Sequence, residues 1–284
     1  MTDFFRPNNL HEALEILKEY GERAAIVNGG SDIVISISQK KIAPDIIVYI
    51  GNLPELRYIR EEKGVISLGG NVTYREMSHD PICQKAAGLM KAIANLGSPG
   101  VRAVATPAGN IGTAAPAADC ATMLMALGAD VVLANSKRER TVSLEDFYAG
   151  RNCTVKQADE IIREIRFPAI RQREGTGYCK AARRKAQDIG KVLAGVRVHL
   201  EKNIVREAAI SLGALNAEIV RAVSLEEAIR GMKKETAYQY LKENFPAEAG
   251  LRESYFKEYK ESVTKSIIAQ AFSCALADAE KGRF

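Results

Sequence analysis

Histidine is scarce in this 284-residue chain, and its cysteines follow no pairing pattern. His11, His79 and His199 stand too far apart to form a metal site or a catalytic triad. His11-Glu12 meets Glu15 where an H-E-x-x-H zinc helix requires its second histidine. Cys83, Cys120, Cys153, Cys179 and Cys274 are odd in number, and no two have C-x-x-C spacing. Structural zinc, or an iron–sulfur cluster held by this chain alone, is therefore not expected. They read as free thiols of a reducing compartment. No run of about 18 apolar residues exists, so no membrane span is expected. The segment Met1–Pro7 lacks the charged and apolar regions of a signal peptide, and a cytoplasmic location is the expectation. Neither G-x-G-x-x-G nor G-x-x-x-x-G-K-S/T occurs, which disfavours a Rossmann site and a P-loop. The net charge of +5 is dispersed in short clusters such as Lys40-Lys41, Lys137-Arg138, Arg183-Arg184-Lys185 and Lys233-Lys234. Without a basic face, no nucleic-acid partner is expected. No nucleophile–base pair stands out either, which points away from a hydrolase.

What the chain does have is glycine in two particular places. A short buried-strand pattern, Ala24 to Val27, stops at Asn28-Gly29-Gly30-Ser31-Asp32, and Ile33, Val34 and Ile37 follow with helical spacing. A second small-residue segment follows the apolar run Val101 to Ala105: Thr106-Pro107-Ala108-Gly109-Asn110, then Gly112 and, further on, Asp119. Such segments leave backbone N–H groups uncovered and let the main chain approach a ligand closely. Pro107 stiffens the second, which reads as a loop leading to a helix over Ala118 to Leu127 closed by Gly128. Two separate glycine turns suit a ligand gripped from two sides, such as a dinucleotide diphosphate.

Periodicity divides the chain into three stretches. In residues 1–53, Asn9 and Glu12 make a capping-box-like start for a helix closed by Gly21. That helix is expected to pack on the strand Ala24–Val27, with Asp45 to Ile50 as a second strand, a β-α-β unit. Residues 54–168 read as a larger α+β unit. Its Gly69-Gly70 pair reads as structural, ahead of a capping box at Thr73 and Glu76. Ala86 to Leu96 is its main helix, and a hairpin spans Val131 to Val142. Ile161 to Phe167 is expected as a half-buried strand ended by Pro168. Residues 169–175 are the linker candidate. In 176–284 the pattern gives a hairpin turning at Glu201-Lys202-Asn203, a helix capped by Ser224 with Glu227, another near Ala237 to Leu241, and a long one over Ser254 to Ala279.

The Asn28–Asp32 turn resembles the Ala-Gly-Gly-(Thr/His)-(Asp/Ser) segment of the FAD-binding medium subunit of molybdenum hydroxylases, the family of xanthine dehydrogenase and carbon monoxide dehydrogenase medium subunits. Arg102 to Ile111 is similar to that family's R-x-V-A-S/T-x-G-G-N/D-I/L, and Asp119 matches the aspartate that follows it. Glu160 to Pro168 resembles its E-I-L-x-x-I-x-I/F-P. Tyr178, Lys180, Arg183 and Arg184, with Asp188, Ile189 and Val192 after one extra residue, resemble its F-x-K-x-x-R-R-x-x-D-I-x-x-V. The matches run in one order through nearly the whole chain. Two positions depart: Asn28 stands where alanine is usual, and Pro107-Ala108 replaces x-Gly.

The resemblance implies an α+β fold: a two-part FAD-binding domain over 1–168 (a small β-α-β unit and a larger α+β unit), then a C-terminal three-stranded sheet with a helical bundle over 176–284. It implies FAD on this chain, cradled by Ala25, Ile26, Val27, Asn28, Gly29, Gly30, Ser31 and Asp32 and by Thr106, Pro107, Ala108, Gly109 and Asn110. Asp119 would accept from ribityl hydroxyls, Ile162 would pack on the isoalloxazine, and Lys180 would lie near the ring's polar edge, where a cation favours anionic reduced flavin. Apart from the resemblance, Asp119 reads as a helix N-cap, Ile162 as core and Lys180 as a surface lysine. Arg183, Arg184 and Asp188 suggest a domain-closing ion network. The family's molybdopterin-binding large subunit and 2Fe-2S small subunit are the implied partners, in an oligomer of heterotrimers. The implied function is that of xanthine dehydrogenase, with electrons taken from 2Fe-2S centres and passed to NAD+ or another acceptor. The alternatives are a carbon monoxide dehydrogenase-like medium subunit that passes electrons to quinone, and a non-catalytic scaffold whose flavin site the two departures have degraded.

Overall fold

The structure is a computed structural model that describes residues 2–184, 186–251 and 257–281. The first unit contains β1 (Asp3–Phe5), α1 (Leu10–Tyr20), β2 (Ala24–Val27), α2 (Ile33–Ser38) and β3 (Ile46–Tyr49). Its strands form a parallel sheet in the order β1-β3-β2. The sequence pattern missed β1, because three residues are too few to show an alternation. Asn9 caps α1 by accepting from the Glu12 N–H at 2.9 Å, while the Glu12 carboxylate takes the N–H of Asn8 rather than that of Asn9. Ala13, Leu14 and Leu17 bury the inner stripe of α1 against Ile46, Val48 and Ile50. The helix therefore covers the central strand β3 rather than β2, as the middle of a sheet offers the larger apolar area.

The second unit is built on five antiparallel strands in the order β4-β5-β10-β6-β7. In chain order it contains β4 (Ile59–Glu62), β5 (Val65–Gly69), α3 (Tyr74–His79), α4 (Ala87–Asn95), α5 (Pro99–Val104), α6 (Pro107–Gly112) and α7 (Asp119–Ala126). Next come β6 (Asp130–Ala134), β7 (Glu139–Ser143), α8 (Leu144–Phe147), the small pair β8 (Tyr148–Gly150) and β9 (Cys153–Thr154), and β10 (Ile161–Pro168). Thr73 and Glu76 form the full capping box of α3. The strand expected to be half-buried, β10, lies at the sheet's centre. A register shift between Ile162 and Glu164 breaks its alternation; Glu164, and Glu160 just before the strand, are each only 2 % exposed. Both are ionic: Arg140 holds Glu160 at 2.7 Å, and Arg60, Arg166, Ser67 and Tyr58 surround Glu164. Burial raises both carboxyls, but the arginine and tyrosine donors outweigh it and hold each below its usual value.

The third unit is a four-stranded antiparallel sheet of β11 (Glu174–Ala181), β12 (Val192–Glu201), β13 (Ile204–Gly213) and β14 (Val220–Arg221). It has one strand more than expected, because two residues of β14 pair with Ser211 and Leu212. Three helices follow: α9 (Val223–Ile229), α10 (Lys234–Glu243) and α11 (Lys257–Glu280). Ser224 is not the cap of α9. Its hydroxyl donates to Glu248 at 2.7 Å, and the helix starts one residue earlier. Ser254, where the sequence pattern begins the last helix, lies outside the described residues. The sheet lies directly on α11: a Cβ on Gly177 would stand 2.0 Å from the Ala271 carbonyl oxygen. Only a residue without a side chain lets strand and helix meet backbone to backbone there. β11 begins at Glu174, so the last two residues of the linker candidate already belong to a strand. No helix among the described residues is long and apolar enough to cross a membrane.

A carboxylate held below its usual value adds stability that is complete above that value and is lost as pH falls through the lowered one. Glu160, Glu164 and Glu174 are all in this state, the last through Arg197 and Arg171 despite its burial. Urea unfolding should therefore show stability falling as pH drops below the usual 4.5. Glu164→Gln should lose about 1–3 kcal/mol at neutral pH and show a shallower acid slope. An unchanged slope would mean that Glu164 does not carry this dependence.

Candidate functional site

The two glycine segments meet. A Cβ on Gly29 would stand 1.8 Å from the carbonyl oxygen of Val104 and 2.6 Å from its carbonyl carbon. The first turn therefore presses main chain to main chain against the end of α5, just before Thr106. Only glycine can occupy that position. Gly30 has φ +69°, the left-handed region that turns the chain from β2 into α2. Among the described residues, none of the five backbone N–H groups from Asn28 to Asp32 donates to a protein acceptor. Five consecutive unclaimed donors at a half-exposed turn form a neutral cradle for an anion.

The second segment differs from expectation. It is no open loop: Thr106 is the N-cap of α6, its hydroxyl accepting from Gly109 N–H at 3.0 Å, and Pro107 takes the first helical position. Helix formation consumes the N–H groups of Gly109 and Asn110, so this segment offers fewer free donors than a glycine loop. What it offers is a bare surface. Gly109 and Gly112, one helical turn apart, are both exposed, and a Cβ on Gly112 would reach the Ile162 Cδ1 at 3.3 Å. Ile162 itself is buried and borders α6 from the central strand β10.

Both departures from the family pattern point into the protein. The Asn28 side chain donates to the Gly70 carbonyl at 2.6 Å, which ties the first turn to the end of β5. Gly70 packs in turn on β10, since a Cβ there would meet the Ile162 carbonyl oxygen at 2.5 Å. The Gly69-Gly70 pair is structural, as its sequence suggested. Pro107 and Ala108 are buried, and Ala108 and Ile111 belong to the central hydrophobic core. Neither departure obstructs the cradle.

Asp119, in the first turn of α7, is buried and holds two partners. The Tyr178 hydroxyl donates to Oδ1 at 2.6 Å, and the Lys180 ammonium approaches the same oxygen at 2.8 Å. Lys180 is therefore not a surface lysine. Its side chain is 8 % exposed, and it also donates to the Asn95 carbonyl at the end of α4. Burial pushes the Asp119 carboxyl up, against the lowering by Lys180 and Tyr178. Tyr178 is pushed far up by burial and by Asp119, so it stays a donor. With both contacts on Oδ1, Oδ2 remains to accept from a ligand. Asp119 is not the N-cap: Ala118 takes that position, without a side-chain bond.

The sequence reading assigned no role to Tyr74 or Tyr178. The Tyr74 hydroxyl donates to Asn110 Oδ1 at 3.0 Å and so fixes that side chain. Nothing in the sequence marked Tyr74. Tyr178 carried a usable signal, since residues two apart on a strand share a face and Lys180 was already a candidate. Arg102 caps the end of α4 through the Leu96 and Gly97 carbonyls. Arg183, Arg184 and Asp188 are not brought to the site and do not close two domains. Both arginines are exposed, and their bonds to Asp188 brace a single loop. The assembled wall runs from Ala25–Asp32 through Thr106–Gly112 and Ile162 to Asp119 and Lys180. It combines a turn of free N–H donors, a bare helix face, an apolar side chain and a buried acceptor–cation pair.

The profile of the FAD binding domain in molybdopterin dehydrogenase matches residues 1–170, and that of the CO dehydrogenase flavoprotein C-terminal domain matches residues 177–275. The chain is 32 % identical over 204 residues to the nicotinate dehydrogenase FAD-subunit of Eubacterium barkeri, a match covering 70 % of this chain and 69 % of that one. It is 26 % identical to the xanthine dehydrogenase FAD-binding subunit of Escherichia coli O157:H7, over 96 % of this chain and 97 % of that one. In fold it is similar to a chain of the reconstituted CO dehydrogenase from Oligotropha carboxidovorans, with a TM-score of 0.92, 21 % identity and 98 % of each chain covered.

Tyr178→Phe should cost about 1.5–3 kcal/mol in urea unfolding, the value of a hydrogen bond to a charged group. Lys180→Met should cost more, about 3–5 kcal/mol, since it leaves the Asp119 carboxylate buried without a counter-charge. The reverse order would show that the tyrosine, not the lysine, is the principal partner.

Proposed function

This chain belongs to the family of FAD-binding domains of molybdopterin dehydrogenases, and from that membership we propose the FAD subunit of a molybdopterin/2Fe-2S/FAD hydroxylase, most like xanthine dehydrogenase. It takes electrons from 2Fe-2S centres and passes them to NAD+ or another acceptor. The observation that carries this reading is the row of unclaimed N–H groups over Asn28–Asp32, pressed against the chain that leads into α6.

Bound FAD would supply a carrier that takes up electrons singly and releases them singly or as a pair. The chain's own residues bind and orient it. Ala25, Ile26 and Val27 deliver the donor turn, and Asn28 to Asp32 offer the diphosphate neutral hydrogen bonds. Thr106 to Asn110 present a close, rigid surface, which Pro107 and Ala108 anchor in the core. Asp119 receives ribityl hydroxyls on the oxygen that Tyr178 and Lys180 leave open. Ile162 covers an apolar ring face and excludes water from it. Lys180 keeps a positive charge near the ring's polar edge, its position fixed by Asp119. The domain division at 168 and 176 belongs to the same reading, as do a molybdopterin-binding large subunit, a 2Fe-2S small subunit, a higher-order oligomer and a cytoplasmic location, the last supported by five free cysteines.

The purified chain should carry stoichiometric FAD, seen as flavin absorbance and identified after denaturation. Asp119→Ala should weaken FAD binding about 10- to 100-fold, equivalent to about 1.4–3 kcal/mol. A folded, colourless chain that refuses added FAD would favour the scaffold reading, and full occupancy in Asp119→Ala would remove the aspartate from the site. The acceptor is decided on the assembled complex. Substrate-dependent reduction of NAD+ is expected, whereas reduction of quinone alone would place the chain with the carbon monoxide dehydrogenase medium subunits.

A further inference from the structure

Outside the cofactor site, one pair of reactive side chains is left without a task. On β11, Gly175 and Gly177 face α11, and a Cβ on Gly177 would stand 3.0 Å from the Cys274 Cβ. Cys179 is the next residue on the same strand face. The two thiols interact electrostatically, and the Lys91 ammonium of α4 acts on both. Cys179 is half-buried and Cys274 is exposed; neither is in a disulfide. The other cysteines are differently placed: Cys83 and Cys120 are buried, and Cys153 is exposed on the distant strand β9.

The two sulfurs divide the labour of a dithiol. Cys179 and Lys91, opposed by burial, lower the Cys274 thiol, while Cys274 and burial raise Cys179. Cys274 is the exposed sulfur, which a solute reaches first, and Cys179 the half-buried partner beside it. Burial raises Cys83 to about 12 and Cys120 well above its usual value, so neither competes as a nucleophile.

We propose that Cys179 and Cys274 form a redox-active dithiol that a hydroperoxide closes to a disulfide between β11 and α11. The Cys274 thiolate attacks the terminal peroxide oxygen. The O–O bond breaks, the remaining oxygen leaves as hydroxide or alkoxide, and Cys274 becomes a sulfenic acid. The Cys179 sulfur then attacks the Cys274 sulfur, the S–O bond breaks, and the Cys179 proton leaves with the oxygen as water. Each sulfur has lost one electron, and the peroxide has gained two. A dithiol reductant reverses the step. The pair lies one residue from Lys180, and Lys91 lies four residues before Asn95, whose carbonyl holds that lysine. The disulfide thus forms immediately behind the ion pair of the cofactor site.

The test is peroxide treatment of the reduced full-length chain near neutral pH, followed by thiol alkylation and peptide mapping without reductant. The expected result is a Cys179–Cys274 cross-linked peptide, a loss of two of the five free thiols, and full recovery with dithiothreitol. Cys274→Ser should abolish the cross-link and leave Cys179 alkylatable. Cys179→Ser should leave a sulfenic acid on Cys274 that dimedone traps. Oxidation of Cys153 while Cys179 and Cys274 stay alkylatable would overturn the proposal, as would a Cys179→Ser chain whose Cys274 traps no dimedone.

Discussion

The site rests on a distance that no side chain could survive. Gly29 brings the first turn so close to the Val104 carbonyl that one added carbon would overlap it. That contact joins the parallel sheet of the first unit to the helical run α5–α6 of the second. The neighbouring contacts hold this approach in register: Asn28 on the Gly70 carbonyl, Gly70 against β10, Ile162 against Gly112. If the two main chains were separated, the first turn would lose its contact with the end of α5 that leads into α6.

The opposite end of the wall is held electrostatically. Asp119 belongs to α7, whereas Tyr178 and Lys180 belong to β11, so the ion pair joins the second unit to the third. The apolar core does the same, because Tyr178 and Leu193 of the last sheet are buried in the central cluster with Leu89, Cys120 and Met123. A buried ion pair adds little net stability over apolar packing, but removing one partner is costly. Its contribution here is placement. It fixes a carboxylate oxygen and an ammonium at one spot, between two elements that are far apart in sequence.

Much of this was legible in the sequence, and the failures have physical causes. The strand–glycine–helix pattern of Ala24 to Ile37 needed only local rules, and so did the caps at Asn9 and Thr73. The misreadings came where tertiary context overrides local pattern. Glycine and alanine in 106–112 suggested an open loop, yet Thr106 and Pro107 start a helix whose glycines have ordinary φ and serve by being bare. The charges around β10 suggested a strand with one wet face, but Arg140 of β7 and Arg60 of β4, with Arg166 of β10 itself, neutralise the buried glutamates. Lys180 looked like a surface residue because its partner is 61 positions earlier in the chain. The two departures, Asn28 and Pro107-Ala108, could be judged only once the direction of each side chain was known.

The unclaimed donors of Asn28–Asp32 also have a thermodynamic meaning. Without a ligand they are left to solvent, at a place where the first unit touches the second. A ligand that binds only the folded chain stabilises it by RT ln(1 + [L]/Kd), about 2.7 kcal/mol at a hundredfold excess over Kd. A flavin dinucleotide bound at this turn would therefore act as a structural member as well as an electron carrier. The folded fraction of the chain becomes a reading of how much of that cofactor its surroundings supply.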